Sequence, residues 1–191
     1  MEAANAKSFY WEAFPPMPTC RVYCSPAYQD GHLFVVGGCS QQGQPVDTVE
    51  MLDIVSRKWT VLPPMPTPRA GAATAMVDKE VLVIGGVDST QRPLASVEAY
   101  HIDEGKWEKK AELAQASMGV SAIAKGNQSC PLGSVEGFNL ARKKWDALPS
   151  MPTGRCSCSS LEAANLLFVI GGVAQGPSSA VEALCLQEGA A

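Results

Sequence analysis

Short apolar segments that end in a double glycine recur along this chain of 191 residues. They span residues 32–36, 81–84 and 166–170, and the glycines that follow them are Gly37, Gly38, Gly85, Gly86, Gly171 and Gly172. Segments this short, rich in Val, Ile and Leu and bounded by glycine, predict buried β-strands. Because no segment combines a 3.6-residue apolar period with helix caps, we expect no helix.

Two further markers follow the spacing of the glycines. The tryptophans Trp11, Trp59, Trp107 and Trp145 are separated by 48, 48 and 38 residues, and the double glycines by 48 and 86 residues. A Val-Glu pair occurs once per interval, with the glutamates Glu50, Glu98, Glu136 and Glu182. Markers of different chemistry that share one spacing indicate an internal repeat.

Each repeat unit carries the same succession of segments. Polar residues follow the double glycine, and a strand with the Val-Glu pair, a charged turn and a strand with the tryptophan come next. A proline-rich connection then leads to an arginine, at Arg21, Arg69 or Arg155, and to a strand of small residues. Four strands per unit and no helix predict an all-β repeat protein.

This succession, with a tryptophan about 21 residues after the double glycine and a period near 48 residues, resembles the kelch repeat. Propellers of WD-type repeats need a Trp-Asp pair in every unit, and only Trp145-Asp146 provides one here. The resemblance implies a β-propeller of about four nominal blades in a single domain, residues 1–191. We expect units at roughly 21–62, 69–110, 117–148 and 155–191, the last completed by a strand from residues 8–14.

The third unit is ten residues short. The residues between Ile123 and Val135 include no apolar run and no double glycine. We therefore expect an incomplete third blade with unpaired strand edges, through which copies of the chain could associate. Kelch proteins usually have six or seven blades, more than the four nominal blades here. The shortened unit therefore resembles an internal deletion such as alternative splicing produces.

The repeated residues favour structural roles. Glycine permits a close approach of two backbones, and tryptophan can cover the outer part of a blade. The glutamate of the Val-Glu pair is expected to meet the arginine of the unit, as a repeated ion pair or as a cap on backbone amides.

Nothing in the sequence predicts catalysis, a cofactor or a metal site. The two histidines, His32 and His101, have no repeated Cys, Asp or Glu partner, and no catalytic or phosphate-binding motif occurs. The seven cysteines show no metal spacing and are expected to be reduced, mostly as small core residues. A net charge of −4 argues against nucleic acid as a partner, and no apolar run is long enough for membrane insertion.

Partner binding is expected on loops that the scaffold positions. The candidates are the polar residues after the double glycines and the arginines that begin the units: Gln41, Gln42, Gln91, Arg92, Gln175, Arg21, Arg69 and Arg155.

The resemblance implies a non-enzymatic protein-interaction module or scaffold, cytoplasmic and linked to cell division at the midbody. Three alternatives stay open: a substrate-recognition subunit for ubiquitin ligation, a hydrolase or oxidase built on a propeller, and an unstable splice form without a separate function. The first would require an N-terminal BTB domain, and only ten residues precede Trp11.

Overall fold

The computed structural model describes residues 12–117, 124–125, 128–129, 135–139, 142–154, 159–163, 166–170 and 179–185. All regular elements within these ranges are β-strands, as the sequence predicts, and within each sheet the strands pair antiparallel in the order of the chain. Among the described residues, no helix has the length and apolar character that crossing a bilayer requires.

The first two units form complete four-stranded sheets, called blade 1 and blade 2. Blade 1 contains β1 (Ser25–Gln29), β2 (His32–Val36), β3 (Val49–Asp53) and β4 (Lys58–Leu62), hydrogen-bonded in that order. Blade 2 repeats this order with β5 (Ala73–Val77), β6 (Glu80–Ile84), β7 (Val97–His101) and β8 (Lys106–Lys110). The strand positions confirm the four-strand unit that the repeat markers predict.

The third unit, called blade 3, contains two separate two-stranded sheets in place of one four-stranded sheet. Its outer strands β11 (Val135–Asn139) and β12 (Lys144–Leu148) have the usual five residues. In place of the two long inner strands stand β9 (Ala124–Lys125) and β10 (Gln128–Ser129), two residues each, which pair with each other. The expectation of an incomplete third blade is therefore confirmed, although a short hairpin stands where the sequence suggested no partner strand at all.

Blade 4 consists of three strands within the described residues. They are β13 (Ser159–Ala163), β14 (Leu166–Ile170) and β15 (Val181–Cys185), paired in that order. The expected fourth strand from residues 8–14 falls largely on residues outside the described ranges, so the completion of this blade stays a prediction.

The core lies between blades. One cluster joins Phe34, Val36 and Val49 of blade 1 to Val81 and Val83 of blade 2. A second cluster contains the opposite side of blade 2, including Ile84 and Val97, and Trp145 of blade 3 packs against it. Alternate residues of a strand point to opposite faces, so blade 2 presents one apolar face to blade 1 and the other to blade 3.

Candidate protein-interaction face

The β2–β3 loop of blade 1 and the β6–β7 loop of blade 2 lie at one end of the blades, beside the connections between blades. We call this end the interaction face; it includes residues 19–24, 37–48, 63–72 and 85–96. Backbone hydrogen bonds join its parts, since Gly38 N donates to Arg69 O (2.9 Å) and Met65 N donates to Asp47 O (2.9 Å). The loops are thus held by the neighbouring blade as well as by their own.

Close backbone approach explains the double glycines on this face. A Cβ atom on Gly37 would lie 2.4 Å from the Arg69 carbonyl oxygen, and one on Gly85 would lie 2.5 Å from the Ser117 carbonyl oxygen. Both glycines also have positive φ, 59° and 62°, which L side chains rarely adopt. Only glycine leaves room for the next blade to dock at this distance.

The repeated arginine and glutamate form a buried ion pair in both complete blades. Arg21 Nη2 lies 2.5 Å from Glu50 Oε2, and Arg69 Nη2 lies 3.0 Å from Glu98 Oε2, with all four side chains fully buried. The expectation that the glutamate meets the arginine of its own unit is confirmed in these two blades. Burial lowers the pKa of the Arg69 guanidinium, and the Glu98 carboxylate opposes this shift.

Each pair also fastens the backbone around it. A threonine hydroxyl donates to the same glutamate, Thr19 to Glu50 and Thr67 to Glu98, both at 2.6 Å. The guanidinium of Arg69 donates to the carbonyls of Gly85 (2.9 Å) and Ser96 (3.0 Å), at the two ends of the loop. The ion pair therefore holds the two ends of the β6–β7 loop together, and its arginine side chain lies in the interior.

The loop tips point to solvent and have defined turns. In blade 1, Gly43 N donates to Ser40 O (2.9 Å), and in blade 2 Gln91 N donates to Asp88 O (3.0 Å). Hydrogen bonds from the Thr90 hydroxyl and the Arg92 amide hold the pKa of Asp88 below its usual value. The exposed side chains at these tips include Gln41, Gln42, Gln91 and Arg92.

A family model described as the Kelch motif matches residues 20–66 and 68–114, the two complete blades with their connections. The chain is 33% identical, over 199 aligned positions, to Kelch domain-containing protein 8B of Rattus norvegicus and of Homo sapiens. Each alignment covers 98% of this chain and 46% of the relative.

The chain belongs to the kelch-repeat family.

Kelch repeats generally mediate contacts between proteins, and two complete copies of the repeat occur here as blades 1 and 2. The chain spans 46% of the length of the curated relatives it matches. The solved structure "Structure of YjhT" has the same fold, with a TM-score of 0.79 and 15% sequence identity; the match covers 91% of this chain and 65% of that one.

The kelch geometry changes the set of residues expected to bind a partner. Arg21 and Arg69 are excluded, because their side chains are fully buried in ion pairs and cannot reach a partner. Gln41, Gln42, Gln91 and Arg92 remain exposed on the interaction face. Arg155 and Gln175 lie outside the described residues, as do Gly171, Gly172 and Trp11.

The interaction face also exposes two apolar residues that the sequence reasoning missed. Val22 is 57% exposed and Tyr23 is 74% exposed, although their equivalents one repeat later are Ala70, which is buried, and Gly71. Tyr23 has φ 56°, close to the 59° of Gly71, so a bulky residue occupies a conformation suited to glycine. Aligning the two repeats would have shown the exchange of Gly for Tyr, but not its exposure.

Both histidines contact carboxylates, contrary to the expectation from the sequence. His101 lies between Glu80 (2.9 Å) and Glu108 (3.0 Å), and His32 Nε2 lies 3.9 Å from Asp53. The ligand atoms of Glu80, His101 and Glu108 lie within 4.8 Å of one another, near enough to share a metal ion. Lys110 Nζ already contacts Glu80 at 3.1 Å and Glu108 at 2.8 Å, so this ammonium supplies the balancing positive charge.

The thiols differ from the expectation in part. Among the described residues, Cys20, Cys24, Cys39 and Cys185 form no disulfide, and their reduced state stays a prediction. Cys20 and Cys185 are exposed, so the interpretation of the thiols as buried core residues is wrong for these two.

Proposed function

We propose that this kelch chain is a non-enzymatic scaffold that binds a protein partner through the exposed loop tips of its interaction face. The observation that carries the proposal is that the structural and the exposed side chains of that face are different residues. The arginines and glutamates are buried and hold the loops, whereas Gln41, Gln42, Gln91 and Arg92 are exposed. Exposed loop side chains that a rigid scaffold positions are suited to the recognition of a partner protein.

Tyr23 and Val22 are proposed to provide the apolar part of the contact. Aromatic and arginine side chains often dominate the binding energy of protein interfaces. Tyr23 keeps an unfavourable backbone conformation while it exposes most of its ring, an arrangement that folding alone does not favour. Arg92 adds a charged donor at the tip of the blade 2 loop.

The test is affinity capture with the 191-residue chain and two matched variants. The face variant combines Tyr23→Ser with Arg92→Glu, and the control is Val55→Ser, a 90% exposed residue in the β3–β4 turn at the other end of the blade. We expect specific partners to be retained by the control and lost by the face variant. Partners that survive the face variant, or turnover in a panel of hydrolase and oxidase substrates, would contradict the proposal.

The kelch resemblance supports a cytoplasmic location and a role at the midbody in cell division. Microscopy of the tagged chain through division tests both, with the face variant as the comparison. Enrichment of the unchanged chain at the midbody, lost in the face variant, is the expected outcome. A uniform distribution of both forms throughout division would contradict the midbody role.

The incomplete third blade supports a separate proposal, that copies of the chain associate through the edge of β11. The chain would then be a shortened form such as alternative splicing produces. In the complete blades the third strand pairs on both sides, whereas within the described residues β11 pairs with β12 alone. Inserting a ten-residue strand and double glycine, copied from residues 79–88, should raise the melting temperature and reduce association. An insertion that lowers the melting temperature would contradict this proposal.

A further inference from the structure

A cavity of about 180 Å³ lies at the junction between blades 3 and 4. Five apolar residues of its wall come from β11, from the connection between the two blades, and from β14 and β15. They are Val135, Met151, Leu167, Val169 and Leu184. We call this space the junction cavity, and its mostly apolar wall favours an apolar occupant.

The repeat shows what occupies this place at a complete junction. Between blades 1 and 2, the residues at the same five repeat positions all belong to the first core cluster. They are Val49, Met65, Val81, Val83 and Tyr100. The other buried members of that cluster belong to the inner strands β1 and β2, and the two largest are Phe34 and Val36. The third unit is ten residues short and has no such inner strand, so the junction cavity is the space that Phe34 and Val36 fill in blade 1.

The wall of the junction cavity is covered less than its equivalent. Met65 and Val83 are 3% and 0% exposed at the complete junction, whereas Met151 and Val169 are only half-buried. An apolar cavity of roughly 150 Å³ can hold one benzene molecule. The junction cavity therefore has room for one large apolar side chain.

The inner edge of β11, whose Val135 lines the cavity, is suited to pairing with a further strand. The corresponding strand β3 of blade 1 pairs with β2 on this side, whereas β11 pairs only with β12 within the described residues. The short strand β10 comes within 8 Å of β11, but its backbone pairs with β9. In the part of the chain that the structure describes, β11 is thus an edge strand, which another chain can extend.

We propose that the junction cavity and the inner edge of β11 together bind an extended segment of a partner protein as an added β-strand. The segment carries apolar residues at alternate positions, as β2 does with Phe34 and Val36, and one of them fills the cavity. Main-chain hydrogen bonds to β11 supply the rest of the contact. Binding displaces the β9–β10 hairpin, which has only two register pairs, from the side of β11.

A second copy of the chain has no strand of this kind to donate among its described residues. Its apolar strands β2, β6 and β14 each pair with a neighbour on both sides. A segment that fills the cavity therefore comes from a different protein. The site is separate from the loop tips of blades 1 and 2, and it shares only the β11 edge with the self-association proposed above.

The test measures the binding of a fluorescently labelled peptide to the 191-residue chain. The peptide copies residues 31–38, which contain β2 and its double glycine, and the control peptide carries Phe34→Ser and Val36→Ser. We expect saturable binding of the first peptide, followed by fluorescence anisotropy. The dissociation constant of the control peptide should be about tenfold higher or more, because it brings no apolar side chain to the cavity.

Three changes to the chain locate the binding. Met151→Glu places a charge in the wall of the junction cavity, and Val55→Glu places the same charge at a 90% exposed position in the β3–β4 turn. The first should weaken peptide binding by about tenfold or more, and the second should leave it unchanged. The insertion copied from residues 79–88 supplies an inner strand of its own and should abolish binding.

Four results would overturn the proposal. These are no saturable binding, equal binding of the two peptides, binding that the insertion leaves intact, and full binding by a Met151→Glu protein that melts as the unchanged chain does. If Met151→Glu does not fold, the two peptides and the insertion decide.

Sedimentation of the unchanged chain separates this proposal from self-association. Copies that associate and are dissociated by the peptide would show that a second copy occupies the site, and the partner segment would be wrong. An insertion that removes self-association, combined with a peptide that never binds, would refute the partner segment and leave association through the β11 edge in place.

Discussion

Ser117 occupies in the third unit the backbone place that Arg69 occupies in the second. The Ser117 carbonyl accepts a hydrogen bond from Gly86 N at 2.8 Å, as the Arg69 carbonyl does from Gly38 N at 2.9 Å. The junction between blades 2 and 3 therefore keeps its backbone contact and lacks the guanidinium. Glu136 is nevertheless buried, and its carboxylate accepts a hydrogen bond from the Ala114 amide at 3.3 Å.

This difference predicts unequal costs for removing the repeated glutamates. Glu98→Gln should destabilise the protein by about 3–5 kcal/mol, because it leaves the buried Arg69 without its counter-charge. Glu136→Gln should cost far less, since no arginine depends on it among the described residues. Urea denaturation of the two variants checks this, and equal losses would contradict the assignment.

A double variant serves as the control for that experiment. Replacing Arg69 and Glu98 together by Met and Leu removes both charges at once, and it should cost less than the sum of the single substitutions. Strict additivity would mean that the two side chains do not interact.

The double glycine predicts that two glycine-to-alanine substitutions differ in their cost to stability. One introduces a steric clash, and the other only an unfavourable backbone conformation. Gly37→Ala should be severely destabilising, because its Cβ atom would lie 2.4 Å from the Arg69 carbonyl at a junction of two blades. Gly43→Ala is the matched control, with φ 75° and no atom within 4 Å of its Cβ. It should cost about 1–2 kcal/mol for the left-handed conformation alone. Thermal melts of both variants measure the difference, and similar losses would refute the close approach.

The repeated tryptophans predict a set of equal hydrogen-bond effects. The indole N–H groups of Trp59, Trp107 and Trp145 donate to the carbonyls of Pro15, Pro63 and Ala111 at 2.8, 2.9 and 3.0 Å. Each therefore ties an outer strand to the connection that precedes its blade. Substitution by Phe keeps an aromatic ring and should cost about 0.5–1.5 kcal/mol at each position, measured by denaturation. A much smaller loss at Trp145 would indicate that the junction with blade 3 is loosely packed.

The cluster of Glu80, His101, Glu108 and Lys110 on blade 2 predicts how the Glu108 carboxyl titrates. Hydrogen bonds from Lys110 and then His101 lower the pKa of Glu108 from 4.5 to about 2. A depressed carboxyl pKa contributes stability that is present above pH 4.5 and lost as the pH falls toward 2. Lys110→Met should raise the Glu108 pKa toward its ordinary value and weaken this pH dependence, as NMR titration can show. An unchanged Glu108 pKa would contradict the role of Lys110.

The linear sequence determined the elements and their order. The spacing of Trp59 and Trp107, the double glycines and the Val-Glu pairs predicted four-stranded units, because these residues serve local requirements of strand, turn and close packing. The ion pair of Arg69 with Glu98 could also be predicted, since the glutamate recurs in all four units and an arginine begins three of them. The shortened third unit was visible as missing residues.

Tertiary structure decided which residues face solvent. Arg21 is polar and lies in a loop region, as a binding residue would, but the fold buries it beside Glu50. Val181 begins a Val-Glu-x-Leu strand as Val49 does, yet it is 60% exposed where Val49 is 1% exposed. A strand residue is buried when another blade packs against its face. Whether a blade does so depends on where the unit lies among the assembled sheets, and the residues of the unit alone do not encode that position.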